Sequence, residues 1–141
     1  MKKRKVVEIK IFTEEQQGKN FYGLLGPYFA DKGFVKIFGE PLHNEPGSIW
    51  FVMLEGEEVA GFCTIFKRKN YSFLNQFFMR DGFKGQGNGS KLFTSRLQYL
   101  DGQNEIRAMV RDDRSKHLYN RSGFEVYGKR GSYDLMKKAL A

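Results

Sequence analysis

The stretch "RDGFKGQGNGSKLF", Arg80 to Phe93, sets four glycines and two amide side chains just ahead of an apolar helical pattern. Glycine loses more backbone freedom on folding than any other residue, so this density needs a local reason. The first N–H groups of a helix have no partner within it, and the helix dipole adds about half a positive charge there. Small residues around those groups let an anion come close, so the chemistry this stretch suits is phosphate binding. Two familiar phosphate loops do not fit. A Walker loop needs Lys after its second glycine, and after Gly82 to Gly87 the next residue is Asn88. The dinucleotide fingerprint needs G-x-G-x-x-G, whereas Gly85, Gly87 and Gly89 are spaced G-x-G-x-G.

A second stretch, "VRDDRSKHLYNRSGFEVYG" from Val110 to Gly128, reads as a strand end, a short helix carrying Tyr119, then Gly123-Phe124 entering another strand. Together the two stretches resemble the GNAT superfamily of acyl-CoA N-acyltransferases. The first is similar to the family's pyrophosphate loop: Arg or Gln, two variable residues, Gly, one variable residue, then Gly or Ala. The second is similar to its Asn…Ala…Leu-Tyr…Gly-Phe segment.

The resemblance implies acetyl-CoA as acyl-donor cosubstrate and a primary amine, on a small molecule or a peptide, as acceptor. It implies that Gly85, Gln86, Gly87, Asn88, Gly89 and Ser90 hold the pyrophosphate through backbone N–H groups, with the Ser90 hydroxyl added. Phe77, Phe78 and Met79 would run beside the pantetheine like an added strand, and an N–H near Met79 would polarise the thioester carbonyl. Lys84, Asp112 and Ser115 would contact the same cosubstrate. Tyr119 would be catalytic, giving a proton to the departing thiolate. Departures from the family pattern are Lys84 in place of Arg or Gln, Asn88 in place of an aliphatic residue, and Asp112 in place of Asn.

Accepting the amine's proton is a separate task. The positions where family members often carry a carboxylate hold Asn75, Gln76 and Arg107, none of them a proton acceptor. His43, Glu45 and Glu105 are the candidate substitutes, and His117 reads as a solvated surface residue. Cys63, in mid-strand with no adjacent base, reads as a small buried side chain rather than an acyl carrier.

These residues need a scaffold, and the chain's periodicities outline one. Val6 to Phe12 alternates as a strand, and Thr13 with Gln16 forms a capping box expected to open a helix. Phe21, Leu24, Leu25 and Tyr28 continue at helical spacing until Gly26-Pro27, expected to interrupt or end the helix. Gly33 to Ser48 is expected to be mostly loop. Ile49 to Leu54, Val59 to Phe66 and Tyr71 to Met79 read as three adjacent strands. Phe93, Leu97 and Leu100 mark a helix's buried face, with Gly102 as its cap. Glu105 to Val110 is a strand, Asp112 or Asp113 caps a short helix that Gly123 closes, and Phe124 to Gly128 pairs with Ser132 to Met136. The expected fold class is α/β, a mixed, mostly antiparallel central sheet with flanking helices, GNAT-like, in one domain over residues 1–141.

The composition sets outer bounds. With 40% hydrophobic residues and 14 Phe, 141 residues can bury a full core. No apolar run approaches the roughly 18 residues of a membrane span. A single Cys and two His leave no disulfide and no metal as the expectation, in a reducing, cytoplasmic setting. The net charge of +8 includes Lys2 to Lys5, Lys67 to Lys69, Lys129-Arg130 and Lys137-Lys138. Those clusters carry the alternative reading, a GNAT-like domain acting as a nucleic-acid-associated module. The intact glycine loop weighs against it.

Overall fold

The computed structural model describes residues 6–38, 40–97, 99–100, 105–111 and 113–139. Lys2 to Lys5, Gly102 and Asp112 therefore lie outside the described residues. The chain opens with β1 (Glu8–Phe12), whose partner lies far along the sequence. The capping box at Thr13 forms, with Gln16 Oε1 accepting from the Thr13 N–H at 3.0 Å, but it opens only a 3-10 turn over Glu14–Gln16. The helix proper, α1 (Lys19–Phe29), starts afresh after Gly18.

Pro27 lies inside α1 rather than ending it. It removes the one donor that would reach the Gly23 carbonyl, and the Ala30 N–H still bonds the Gly26 carbonyl at 3.1 Å. Burial of Phe21 and Leu25 outweighs the local breaker. The segment expected to be loop also contains a helix, α2 (Phe34–Phe38). Phe34 is buried and meets Tyr28, Phe62 and Phe78 edge-on or tilted, so tertiary packing orders five residues, with the Asp31 carboxylate accepting from the Gly33 N–H at 2.7 Å just ahead of them.

The strands that follow are β2 (Ile49–Glu55), β3 (Glu58–Lys67) and β4 (Ser72–Met79). After α3 (Asn88–Leu97) come β5 (Glu105–Val110), α4 (Asp113–Arg121), β6 (Glu125–Arg130) and β7 (Tyr133–Ala139). They form one seven-stranded sheet in the order β1-β2-β3-β4-β5-β7-β6. Every pairing is antiparallel except β4 with β5. The mixed, mostly antiparallel sheet with flanking helices is the expected class.

Helices cover both faces, which is why β2 reads as an unbroken apolar run. Ile49, Phe51 and Met53 point into one core with Leu92 and Phe93 of α3 and Tyr119 of α4. Trp50, Val52 and Leu54 point into the other with Phe21 and Leu25 of α1.

Two irregularities shape the centre of the sheet. The parallel pairing joins Ser72, Phe73 and Leu74 of β4 to Ile106, Arg107 and Ala108 of β5, and beyond that the strands part. Just past the last paired residues, β4 bulges against β3 between Phe62 and Thr64, with Gln76 held at a φ of +50°. A non-glycine residue there is strained, and its position beside the parting of the strands makes it worth following.

Candidate active site

The glycine loop leaves β4 through a 3-10 turn over Asp81–Phe83 and enters α3 at Asn88. Gly85 and Gly87 both stand at φ +78°, a left-handed conformation that favours glycine. No heavy atom lies within 4 Å of where a Cβ would project from Gly85 or Gly89, so the loop is open to a ligand. The first bond of α3 runs from the Lys91 N–H to the Gly87 carbonyl at 3.1 Å, so the N–H groups of Asn88, Gly89 and Ser90 precede the helix's own ladder.

Asn88 explains its own departure from an aliphatic residue. Its side chain is buried and donates to the Phe83 carbonyl at 3.1 Å, tying the loop to its anchor. Only its backbone is available to a ligand. Lys84 pairs with Asp81 at 2.9 Å and stays half exposed.

Tyr119, on α4, is 6% exposed. Its ring meets Phe93 and Phe124 edge-on, at centroid distances of 4.8 and 5.0 Å. The Phe124 N–H bonds the Tyr119 carbonyl at 3.0 Å past Gly123, so the helix end itself sets the spacing of those two rings. The Tyr119 hydroxyl oxygen accepts from Arg96 Nη2 at 3.0 Å.

A cavity of about 840 Å³ opens where β4 and β5 part. Phe77, Ser115 and Tyr119 line it, as do Asn75 and Gln76. Lys36, Glu40, His43, Glu45, Arg68 and Arg111 line it too. The structure thus brings Tyr119 and two of the three candidate bases to one cavity. Glu105 is not on its wall and pairs with Arg107 instead. Phe78 turns to the opposite core, against Phe34 at 5.0 Å and Phe62 at 5.3 Å, and Met79 is buried. For those two, only the backbone can meet a ligand. Gly87 and Ser90 border a separate groove of about 510 Å³ beside Ile9 and Ile11.

His43 is held from several sides. Its ring lies 5.1 Å from that of Phe66, and Nδ1 is 3.3 Å from the Pro41 carbonyl. Nε2 is 3.5 Å from Glu45 Oε1, while Arg68 grips both oxygens of Glu45 at 2.6 and 3.1 Å. The hydrogen bond from Arg68, reinforced by its charge, holds the Glu45 carboxyl below the usual carboxylate range, against the opposing effect of partial burial. Cys63 is fully buried, and burial pushes its thiol up to about 11 despite the nearby charge of Arg96.

Arg96 went unnoticed in the sequence. The expected buried face of α3 is Phe93, Leu97 and Leu100, whereas Asn88, Leu92, Phe93 and Arg96 are the buried residues. The available signal was position: Arg96 falls three residues after Phe93 and four after Leu92, on the apolar stripe.

A sheet parted between two parallel strands, a glycine turn opening a helix beside it, and a buried tyrosine on the parted wall define an acyl-CoA N-acyltransferase fold. Residues 10–124 match the Acetyltransferase (GNAT) family, and the chain belongs to that family. Among solved structures, it is similar to an acyl-CoA N-acyltransferase from Pseudomonas aeruginosa, with TM-score 0.76 and 12% identity over 95% of this chain and 100% of that one. A PaiA N-acetyltransferase from Thermoplasma acidophilum, solved with coenzyme A, has TM-score 0.66 and 13% identity over 96% of this chain and 99% of that one. A GNAT family acetyltransferase from Elizabethkingia anophelis, solved with acetyl-CoA bound, has TM-score 0.63 and 13% identity over 94% and 98%. No curated protein matches the chain in sequence. Among the described residues, no helix is long and apolar enough to cross a membrane.

Proposed function

We propose that this chain transfers an acetyl group from acetyl-CoA to a primary amine by direct attack in a ternary complex. The observation that carries the reading is the shared wall: Tyr119 and His43 both line the cavity that opens where β4 and β5 part. The open glycine loop fits a pyrophosphate, with the backbone N–H groups of Gly85 to Ser90 as donors and Lys84 next in the chain; Ser115 would meet the cosubstrate from the cavity. Phe77 to Met79 offer backbone groups to the pantetheine. Acetyl-CoA, when bound, supplies an acyl carbon activated as a thioester.

The chain's own residues then manage two protons. The contact of His43 Nδ1 with the Pro41 carbonyl suits an N–H at Nδ1, which leaves Nε2 to take the proton of the attacking amine. Protonation there creates an ion pair with Glu45, already set in place by Arg68. Tyr119 gives its hydroxyl proton to the departing sulfur.

The nucleic-acid reading is weaker on this geometry. Arg68 is committed to Glu45, Lys138 Nζ donates to the Ser122 carbonyl at 2.8 Å, and Lys137 lies over the Tyr127 ring at 5.2 Å. Three of the seven described charges in those clusters are therefore engaged within the chain.

The test is calorimetry with acetyl-CoA followed by turnover on an amine panel, for the natural chain and Tyr119→Phe. The natural chain binds acetyl-CoA, and the variant binds it equally while kcat falls about a hundredfold. A folded protein that fails to bind acetyl-CoA, or full activity in Tyr119→Phe, would sink the reading.

A further inference from the structure

We propose that Arg96 is a positioning residue for the transfer: it aims the Tyr119 hydroxyl into the cavity and holds the charge that Tyr119 acquires on giving up its proton. The proposal rests on the reading of Tyr119 as the proton donor and extends it to a residue outside the cavity wall.

Arg96 has no exposed surface, yet among the described residues it makes no ion pair with a carboxylate. Its guanidinium sits 5.4 Å from the ring centres of both Phe77 and Phe93. Nη1 reaches the Thr64 carbonyl only at 3.4 Å, and Nε has no hydrogen-bond partner among the described residues. Among the described residues, its one close polar contact is Nη2 to the Tyr119 hydroxyl at 3.0 Å. A buried cation without a counter-charge is unfavourable, and an apolar side chain of similar length would fill this site at least as well for stability. The two ring contacts offset part of that cost, but they do not call for a donor at the Tyr119 oxygen.

The hydrogen-bond chemistry gives that donor a role. A guanidinium has donors only and stays protonated in proteins, so the Tyr119 oxygen must be the acceptor. That fixes one lone pair on Arg96 and turns the hydroxyl's own hydrogen elsewhere. The T-shaped contacts with Phe93 and Phe124 offer no lone pair to accept it, and the cavity that Tyr119 lines is open to it.

The same contact serves the reaction. As the amine nitrogen bonds to the acyl carbon, the carbon–sulfur bond breaks and its electron pair goes to sulfur. The sulfur takes the hydroxyl proton, and the O–H pair stays on the Tyr119 oxygen as a phenolate. That new charge forms 3.0 Å from a fixed guanidinium in a site with little water, where an oriented counter-charge is most effective. Solvent later returns the proton.

The experiment is a double-mutant cycle on the full chain, with thiol release from acetyl-CoA to hydroxylamine as the kinetic readout and 13Cζ-labelled tyrosine NMR of the free protein beside it. Arg96→Met should lower kcat at least tenfold with little change in the KM for acetyl-CoA, and its melting temperature should hold or rise. Arg96→Lys, which keeps a charge, should fall between. Combined with Tyr119→Phe, Arg96→Met should cost no further activity, since both act through one hydroxyl. In the spectra, the Tyr119 Cζ resonance, identified by its loss in Tyr119→Phe, should move in Arg96→Met. An equal loss from Arg96→Met in the natural and Tyr119→Phe backgrounds would make Arg96 merely structural, and an unmoved resonance would remove the contact. Full activity of Tyr119→Phe would overturn the donor reading itself, a result distinct from either.

Discussion

Gln76 grips both backbone groups of His43. Its side-chain oxygen accepts the His43 N–H at 2.8 Å, and its amide nitrogen donates to the His43 carbonyl at 2.9 Å. A single side chain thus does what a neighbouring strand would do, fastening the loop after α2 to the bulge in β4. The strained φ of +50° at Gln76 brings its side chain to that loop, which links backbone strain to placement of the proposed base.

Gln76→Gly separates the two contributions, because glycine accepts the backbone conformation and removes only the clip. The fold should persist while kcat falls about tenfold, the scale expected when a reacting group is displaced by a fraction of an ångström to an ångström. Acetyl-CoA affinity, measured by calorimetry, should stay within about twofold. An unaltered kcat would show that His43 needs no such fastening.

Gly87→Val tests the glycine loop. A β-branched residue at φ +78° is strained and places bulk beside the free N–H groups of the helix start. The dissociation constant for acetyl-CoA should rise at least tenfold, about 1.4 kcal/mol. Circular dichroism should confirm that the variant folds, and unchanged affinity would move the pyrophosphate elsewhere.

The depressed Glu45 carboxyl carries a pH signature. A group whose folded pKa lies below its unfolded value stabilises the fold above the ordinary carboxylate range and loses that contribution as pH falls through the depressed value. Glu45→Gln should therefore lower stability at neutral pH, by no more than about 1 kcal/mol for a partly exposed pair. The gap from the natural chain should close in acid, as pH falls through the depressed value. Thermal melts from pH 7 down into acid measure it, and a gap that widens in acid would reverse the assignment.

Cys63→Ala should leave turnover unchanged. With a thiol at about 11, only about one molecule in a thousand carries the thiolate at pH 8. A disulfide reagent should then modify the native protein far more slowly than the unfolded chain. Rapid labelling without unfolding would reopen the acyl-cysteine route.

What the sequence made legible follows the reach of each signal. Strands β2 to β5 came through within a residue or so at their ends, because apolar runs between polar turns are local features. The Thr13 box was also real, but a capping box reports a helical start and not its length. Pro27 inside α1 and the short helix at Phe34 escaped because burial by distant residues decides them. Tyr119 could be placed through its neighbours Leu118 and Gly123-Phe124. Arg96, Gln76 and the Arg68–Glu45 pair act across 23 to 33 residues of chain, and apart from the place of Arg96 on the apolar stripe nothing local marks them.

The parting of β4 from β5 also has a consequence for how the molecule breathes. Within the sheet, three registered residue pairs join the β1-to-β4 half to the β5-β7-β6 half among the described residues. The bond from Arg96 on α3 to Tyr119 on α4, and that from Arg111 Nη2 to the Lys36 carbonyl at 3.2 Å, cross the same seam. The two halves are therefore natural units of sub-global opening, and the edges of β4 and β5 beyond Leu74 and Ala108 should exchange their amide hydrogens ahead of the strand centres. A ligand laid along the seam would close both edges together, so that slowed exchange on β4 and on β5 would register a single event.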